Sequence, residues 1–183
     1  MNRKSTTKWV TLSLTTALAI GNLSVNAETF ELRMAVEAVP GAADIERGDI
    51  DKGIERLQRA LTESHPAGAV ATDLCAAYTM QRELNSAQLW CDQAVQDSPH
   101  NGAARNNRGV LRTVQGDYES AVEDFRAAST LGNYKVGTSG PLESVSQEYR
   151  HASRQIAGRN LVIAEQRWAA AKQESGQERY AIK

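Results

Sequence analysis

The stretch that decides the fold is Asn106-Asn107-Arg108-Gly109, followed at Gln115 by Gly116-Asp117-Tyr118-Glu119-Ser120-Ala121-Val122-Glu123-Asp124-Phe125. Gly116-Asp117 is a turn signal set between two helical patterns. Sliding the chain against itself by 34 residues places Gly48, Arg82 and Gly116 in one column without a gap. Gly53, Ala87 and Ala121 form a second column. Leu57, Cys91 and Phe125 form a third, and Ala60, Ala94 and Ala128 a fourth. Antiparallel helices that cross closely need small residues where their backbones meet and a large one a turn away. The columns supply both. Pro66 and Pro99 stand after the paired helical patterns, where a helix has to stop. The spacing predicts helices at about 40–47, 50–63, 69–81, 84–97, 102–115 and 118–131.

A 34-residue helix–turn–helix period resembles the tetratricopeptide repeat (TPR). The third unit carries the resemblance through the quoted stretch, Gly109 included. The middle unit carries it through Leu74, Tyr78, Ala87, Ala94 and Pro99. The match covers roughly residues 34–133, in units of about 34–67, 68–101 and 102–133. The tryptophan expected early in each unit is replaced by Glu37, Ala71 and Arg105, and Pro40-Gly41 interrupts the first leading helix. That helix is expected to be two turns long, with Pro40 in its first turn. The expected fold is all-α, a solenoid of about three hairpins with a C-terminal capping helix.

The ends of the chain read differently. Asn2-Arg3-Lys4 and Lys8 precede an apolar stretch from Trp9 to Ile20, interrupted by threonines and a serine, then Val25-Asn26-Ala27. This is the layout of a secretory signal, so residues 1–27 are expected to be removed. The apolar stretch is too short to remain as a membrane anchor. Phe30–Val36 alternates, as a strand does, but also reads as a helix start. Residues 28–39 form an N-terminal segment and 134–141 a loop. Residues 142–183 hold an amphipathic helix, either one piece or two joined near Gly158. Leu142, Val145, Tyr149, Ala152 and Ile156, then Leu161, Ala164, Trp168 and Ala171, mark its apolar face. It is expected to cover the last repeat.

Twenty-one basic and 22 acidic residues among 183 balance to a net charge of −1, which gives no nucleic-acid footprint. His65, His100 and His151 have no ligand spacing, and no nucleophile–base motif occurs. Neither an enzyme nor a cofactor is expected. Cys75 stands where the family has a small residue and Cys91 where it has a large aromatic. Their places on facing helices suggest a disulfide, with two buried thiols as the alternative.

The resemblance implies that the leading helices line a concave face. On it Thr72, Ala76, Thr79, Asn106, Asn107, Val110 and Thr113 are expected to be exposed. Asn106 and Asn107 would bind a partner's backbone or bond between units. Basic residues for a carboxylate clamp are missing. The expected function is a non-catalytic adaptor or assembly factor in a bacterial envelope, its groove holding a peptide or helix of an envelope protein. The alternative is a carrier of a small ligand or cell-wall fragment in the same groove. Export predicts a mature N-terminus of Glu28-Thr29-Phe30. N-terminal sequencing of periplasmic protein checks this, and an intact Met1 would contradict it.

Overall fold

The computed structural model describes residues 8–16, 28–37, 39–131 and 143–181. Within them lie seven helices and a two-stranded sheet. The strands come first, β1 at Lys8–Thr16 and β2 at Glu28–Val36. Three antiparallel helical hairpins follow. They are α1 (Ala42–Arg47) with α2 (Ile50–Ala60), α3 (Ala67–Gln81) with α4 (Leu84–Asp97), and α5 (Gly102–Gln115) with α6 (Tyr118–Leu131). Helix α7 (Glu143–Ala181) is one unbroken piece packed on α6. The expected loop at 134–141 and the cleavage motif at 25–27 lie outside the described residues.

The hairpin turns fall in one repeat column. Gly48, Arg82 and Gly116 all take left-handed backbone, at φ 88°, 60° and 83°. This conformation closes a helix by turning back N–H groups onto its last carbonyls. Arg82 adopts it without glycine's freedom, the only non-glycine with positive φ among the described residues.

A second column explains how each hairpin is joined. A Cβ on Gly109 would come within 2.7 Å of the Phe125 ring, and one on Gly41 within 2.6 Å of the Gly53 carbonyl oxygen and 3.0 Å of Leu57 Cγ. Each glycine therefore makes room for a large residue on the facing helix. In the middle unit the same two places hold Cys75 and Cys91. Their sulfurs are 1.99 Å apart, at bonding distance, with Cα atoms 4.7 Å apart. A covalent tie thus stands where the flanking units pack a large side chain on a glycine. A third column varies the chemistry again. Asp44 accepts from Arg56 at 2.8 Å in the first hairpin. In the third hairpin the charges are exchanged, and Arg112 donates to Asp124 at 2.8 Å. Between them Tyr78 and Trp90 pack on one apolar cluster.

The columns expected to pack do so. Gly53, Leu57, Ala60, Leu74, Ala87, Ala94, Gly109, Ala121, Phe125 and Ala128 are buried, and Tyr78 is half-buried. The first unit is the exception to the register. Pro40 precedes α1 instead of entering its first turn, and Gly41, at φ 104°, redirects the chain into the helix. The residues before it, which the register assigns to a leading helix, form β2. Leu32, Met34 and Val36 turn into the core, and Val10, Leu12 and Leu14 of β1 join the same cluster. Strand alternation puts three apolar residues of each strand on one face. Residues 8–16, the start of the apolar stretch read as an export signal, therefore form an antiparallel ladder with β2. Its register pairs Val10 with Met34 and Leu12 with Leu32.

Loss of the sulfur–sulfur tie should destabilise the middle hairpin. For a sequence separation of 16, loop-closure entropy gives roughly 3 kcal/mol, less any strain. Denaturant unfolding should show that loss on reduction, in Cys75→Ser and in Cys91→Ser. The double variant should cost scarcely more than either single one. Additive losses, or no effect of reduction, would contradict it.

Candidate functional site

The face expected to be open is closed by the chain's own strand. Thr72, Ala76, Thr79, Asn106, Asn107, Val110 and Thr113 are all at most 4% exposed. Strand β2 lies over them, against α3, α5 and α7. The expectation of an exposed lining is thereby corrected. The three hydroxyls are satisfied within their own helices. Thr72, Thr79 and Thr113 donate to the carbonyls of Gly68, Cys75 and Gly109. Ala76 and Val110 belong to the apolar core that β2 helps to build.

The polar residues hold the strand by its backbone. Successive residues of a strand turn their N–H and C=O to opposite edges, so Arg33, Ala35 and Glu37 present theirs to one side. Asn107 Oδ1 accepts from the Ala35 N–H at 2.8 Å, and its Nδ2 donates to the Ala35 carbonyl at 2.9 Å. A primary carboxamide offers a carbonyl acceptor beside an NH2 with two donors, so it can pair with one residue's N–H and C=O and keep a donor to spare. Asn107 therefore serves Ala35 as a neighbouring strand would. Arg33 is held the same way from α7. Asn160 Oδ1 accepts from its N–H at 3.2 Å, and Asn160 Nδ2 donates to its carbonyl at 2.9 Å. Asn106 Nδ2 donates to that carbonyl as well, at 2.8 Å. Asn160 Nδ2 also reaches Asn106 Oδ1 at 2.9 Å. At the far end Asp73 Oδ1 accepts from the Glu37 N–H.

Every bond of the two asparagines stays within the chain. Asn107 bonds between units, because its Nδ2 also donates to the Thr72 carbonyl at 3.2 Å. Its remaining bonds, and that of Asn106 to Arg33, go to an extended chain. Asp73 and Asn160 were not foreseen. A signal for Asp73 was present, since it precedes Asn107 by one 34-residue period and is the sole charged residue in the run Val70–Ala77. Asn160 stands one helical turn from both Ile156 and Ala164, inside the apolar face of α7.

That face covers α6 with Ala157 and Ala164 fully buried and Trp168 half-buried. Lys172 Nζ lies 3.4 Å from the Trp168 ring centroid. Elsewhere Arg108 grips Asp124 with two bonds of 2.8 and 2.9 Å. The Asp124 carboxylate raises the pKa of the Arg108 guanidinium, against the cost of its burial. Arg105 and Arg112 converge on the same carboxylate. Arg108 also donates to Asp92 of α4 at 3.2 Å, so these arginines tie α5 to α6 and to α4.

Among the described residues no group of three or more His, Cys, Asp or Glu could hold a metal ion. No helix among them is long and apolar enough to cross a membrane. No family model matches the chain, and no curated protein matches it.

Asp73 carries the cost of the arrangement. Its carboxylate is fully buried, and Oδ2 has no hydrogen-bond partner. Burial raises its pKa well above the usual carboxylate value of 3.8, the Glu37 N–H pulls it down, and the charges of Glu37 and Glu46 raise it further. The folded protein thus binds this proton more tightly than the unfolded chain does. Its contribution is most favourable below the unfolded pKa and is lost as pH rises toward the folded one. Asp73→Asn keeps an oxygen for Glu37 without the charge. Relative to wild type, it should gain stability as pH rises above the ordinary carboxylate range and level off once the folded-state pKa is passed. Paired urea titrations check this, and a difference constant with pH would contradict it.

Proposed function

We propose that this chain is an exported, non-catalytic protein-interaction module of the TPR type, whose groove holds and presents its own N-terminal strand. The observation that carries the reading is the clamp of side-chain amides on Arg33 and Ala35 and of the Asp73 carboxyl on Glu37. It bonds extended backbone, which is how a peptide-binding groove obtains affinity, and the Glu37 side chain is also held, by Asn101 Nδ2 at 3.2 Å. The TPR assignment is supported by the recurring left-handed turns and by the Gly41–Leu57, Cys75–Cys91, Gly109–Phe125 column. Export is supported by the basic and apolar start of the chain and by a cysteine pair at bonding distance, which suits an oxidising compartment. An adaptor or assembly role in a bacterial envelope follows from the two together. The carrier alternative gains nothing from Thr72, Ala76 and Thr79, where β2 and the neighbouring helices take the room.

The test is cross-linking in intact cells with a C-terminally tagged full chain, alongside Asn107→Ala. That change strands the N–H and C=O of Ala35 at a cost of roughly 1–3 kcal/mol each. It also removes the bond to the Thr72 carbonyl, and leaves the Gly41–Leu57, Cys75–Cys91 and Gly109–Phe125 pairs in place. Wild type should yield one reproducible envelope protein, and Asn107→Ala should lose it while keeping its helical circular dichroism. Equal capture by both, with β2 shown by proteolysis to be released in the variant, would move the contact to the outer helices or α7.

A further inference from the structure

Strand β2 has a second edge, which the clamp does not touch. The N–H and C=O groups of Leu32, Met34 and Val36 alternate with those of Arg33, Ala35 and Glu37, so they turn the opposite way. There they face Leu12, Val10 and Lys8 of β1. Strand β1 does more than complete the ladder. Val10, Leu12 and Leu14 are 7%, 8% and 6% exposed and share an apolar layer with Ala42 and Ile45 of α1.

All of β1 lies within residues 1–27. We infer that, once export removes it, the outer edge of β2 becomes the acceptor for an antiparallel strand of a partner protein. The partner strand carries apolar residues at alternate positions, in the places of Val10, Leu12 and Leu14. This inference rests on the export reading above. An open strand edge backed by an uncovered apolar shelf is a template for pairing. β1 shows the occupant that fits: extended, antiparallel, apolar on the face toward α1, with Thr11 and Ser13 exposed on the other.

A second copy of the chain fits less well. The apolar face of its β2, Leu32, Met34 and Val36, is already committed to its own helices at 0–1% exposure. It has none left to cover Ala42 and Ile45 of another molecule. A strand without its own scaffold, such as an extended tail, has that face to give.

The experiment uses protein recovered from the periplasm, its N-terminus determined first. The probe is a synthetic peptide of residues 8–16, titrated by calorimetry. In the ladder register the Leu12 N–H faces β2 and the Thr11 N–H faces away. The expected result is one-to-one binding that N-methylation at Leu12 weakens at least about tenfold, the value of one lost hydrogen bond. N-methylation at Thr11 should leave the affinity within about threefold. Protein beginning at Glu28 that ignores the peptide would overturn the acceptor edge while leaving export intact. So would equal weakening by both methylations, or a stable dimer that excludes the peptide. An intact Met1 would overturn the export reading, and with it the opening of the edge.

Discussion

Everything at the centre of this molecule depends on how one strand's backbone is satisfied away from a full sheet. Strand β2 is buried among helices, where an unpaired N–H or C=O costs as much as a lost hydrogen bond. Asn107, Asn160, Asn106 and Asp73 supply the partners on the inner edge, from three different helices. That dispersal matters for the architecture. Helices α3, α5 and α7 must be correctly spaced before Arg33, Ala35 and Glu37 can all be bonded, so the strand in turn locks the helices. The apolar side chains Leu32, Met34 and Val36 then add the burial that makes the arrangement favourable.

The hairpins show how one geometric demand accepts several chemistries. Two facing positions are met by glycine with leucine, by a cysteine pair, and by glycine with phenylalanine in successive units. Another pair is met by Asp44 with Arg56, by Tyr78 with Trp90, and by Arg112 with Asp124. What recurs is the fit between the two helices, and charge order or polarity is free to change as long as the pair remains complementary. The buried ends of these pairs, Asp44 and Asp124, are each bonded to arginine. Asp73 lacks any such cation and takes a raised pKa instead.

These differences explain what the sequence disclosed. Helices α4, α5 and α6 run over the ranges that periodicity and turn residues predict. Their boundaries are local, set by Arg82, Pro99 and Gly116. The short α1 was legible in Pro40-Gly41, though the proline sits before the helix and not within it. The strands were harder. Thr11, Ser13 and Thr15 interrupt an apolar run when it is read as an export signal, yet their spacing of two is strand alternation. The strand itself shows only in its pairing with Glu28–Val36, which a local reading of residues 8–16 does not contain. A repeat comparison also could not reveal that the groove is filled, because the strand that fills it lies where the register places a helix. The same asparagines that suggest a free binding face are therefore occupied, and Asn160 joins them from a helix outside the repeats.

The central claim is that side-chain amides hold β2 in the groove, and backbone hydrogen exchange at Ala35 tests it most directly. The account predicts that the Ala35 amide, bonded to Asn107 and fully buried, exchanges only through global unfolding, as slowly as the core amides of α5. Exchange of Ala35 at the rate of an unstructured chain, with α5 still protected, would show that the strand is not held there and would contradict the account.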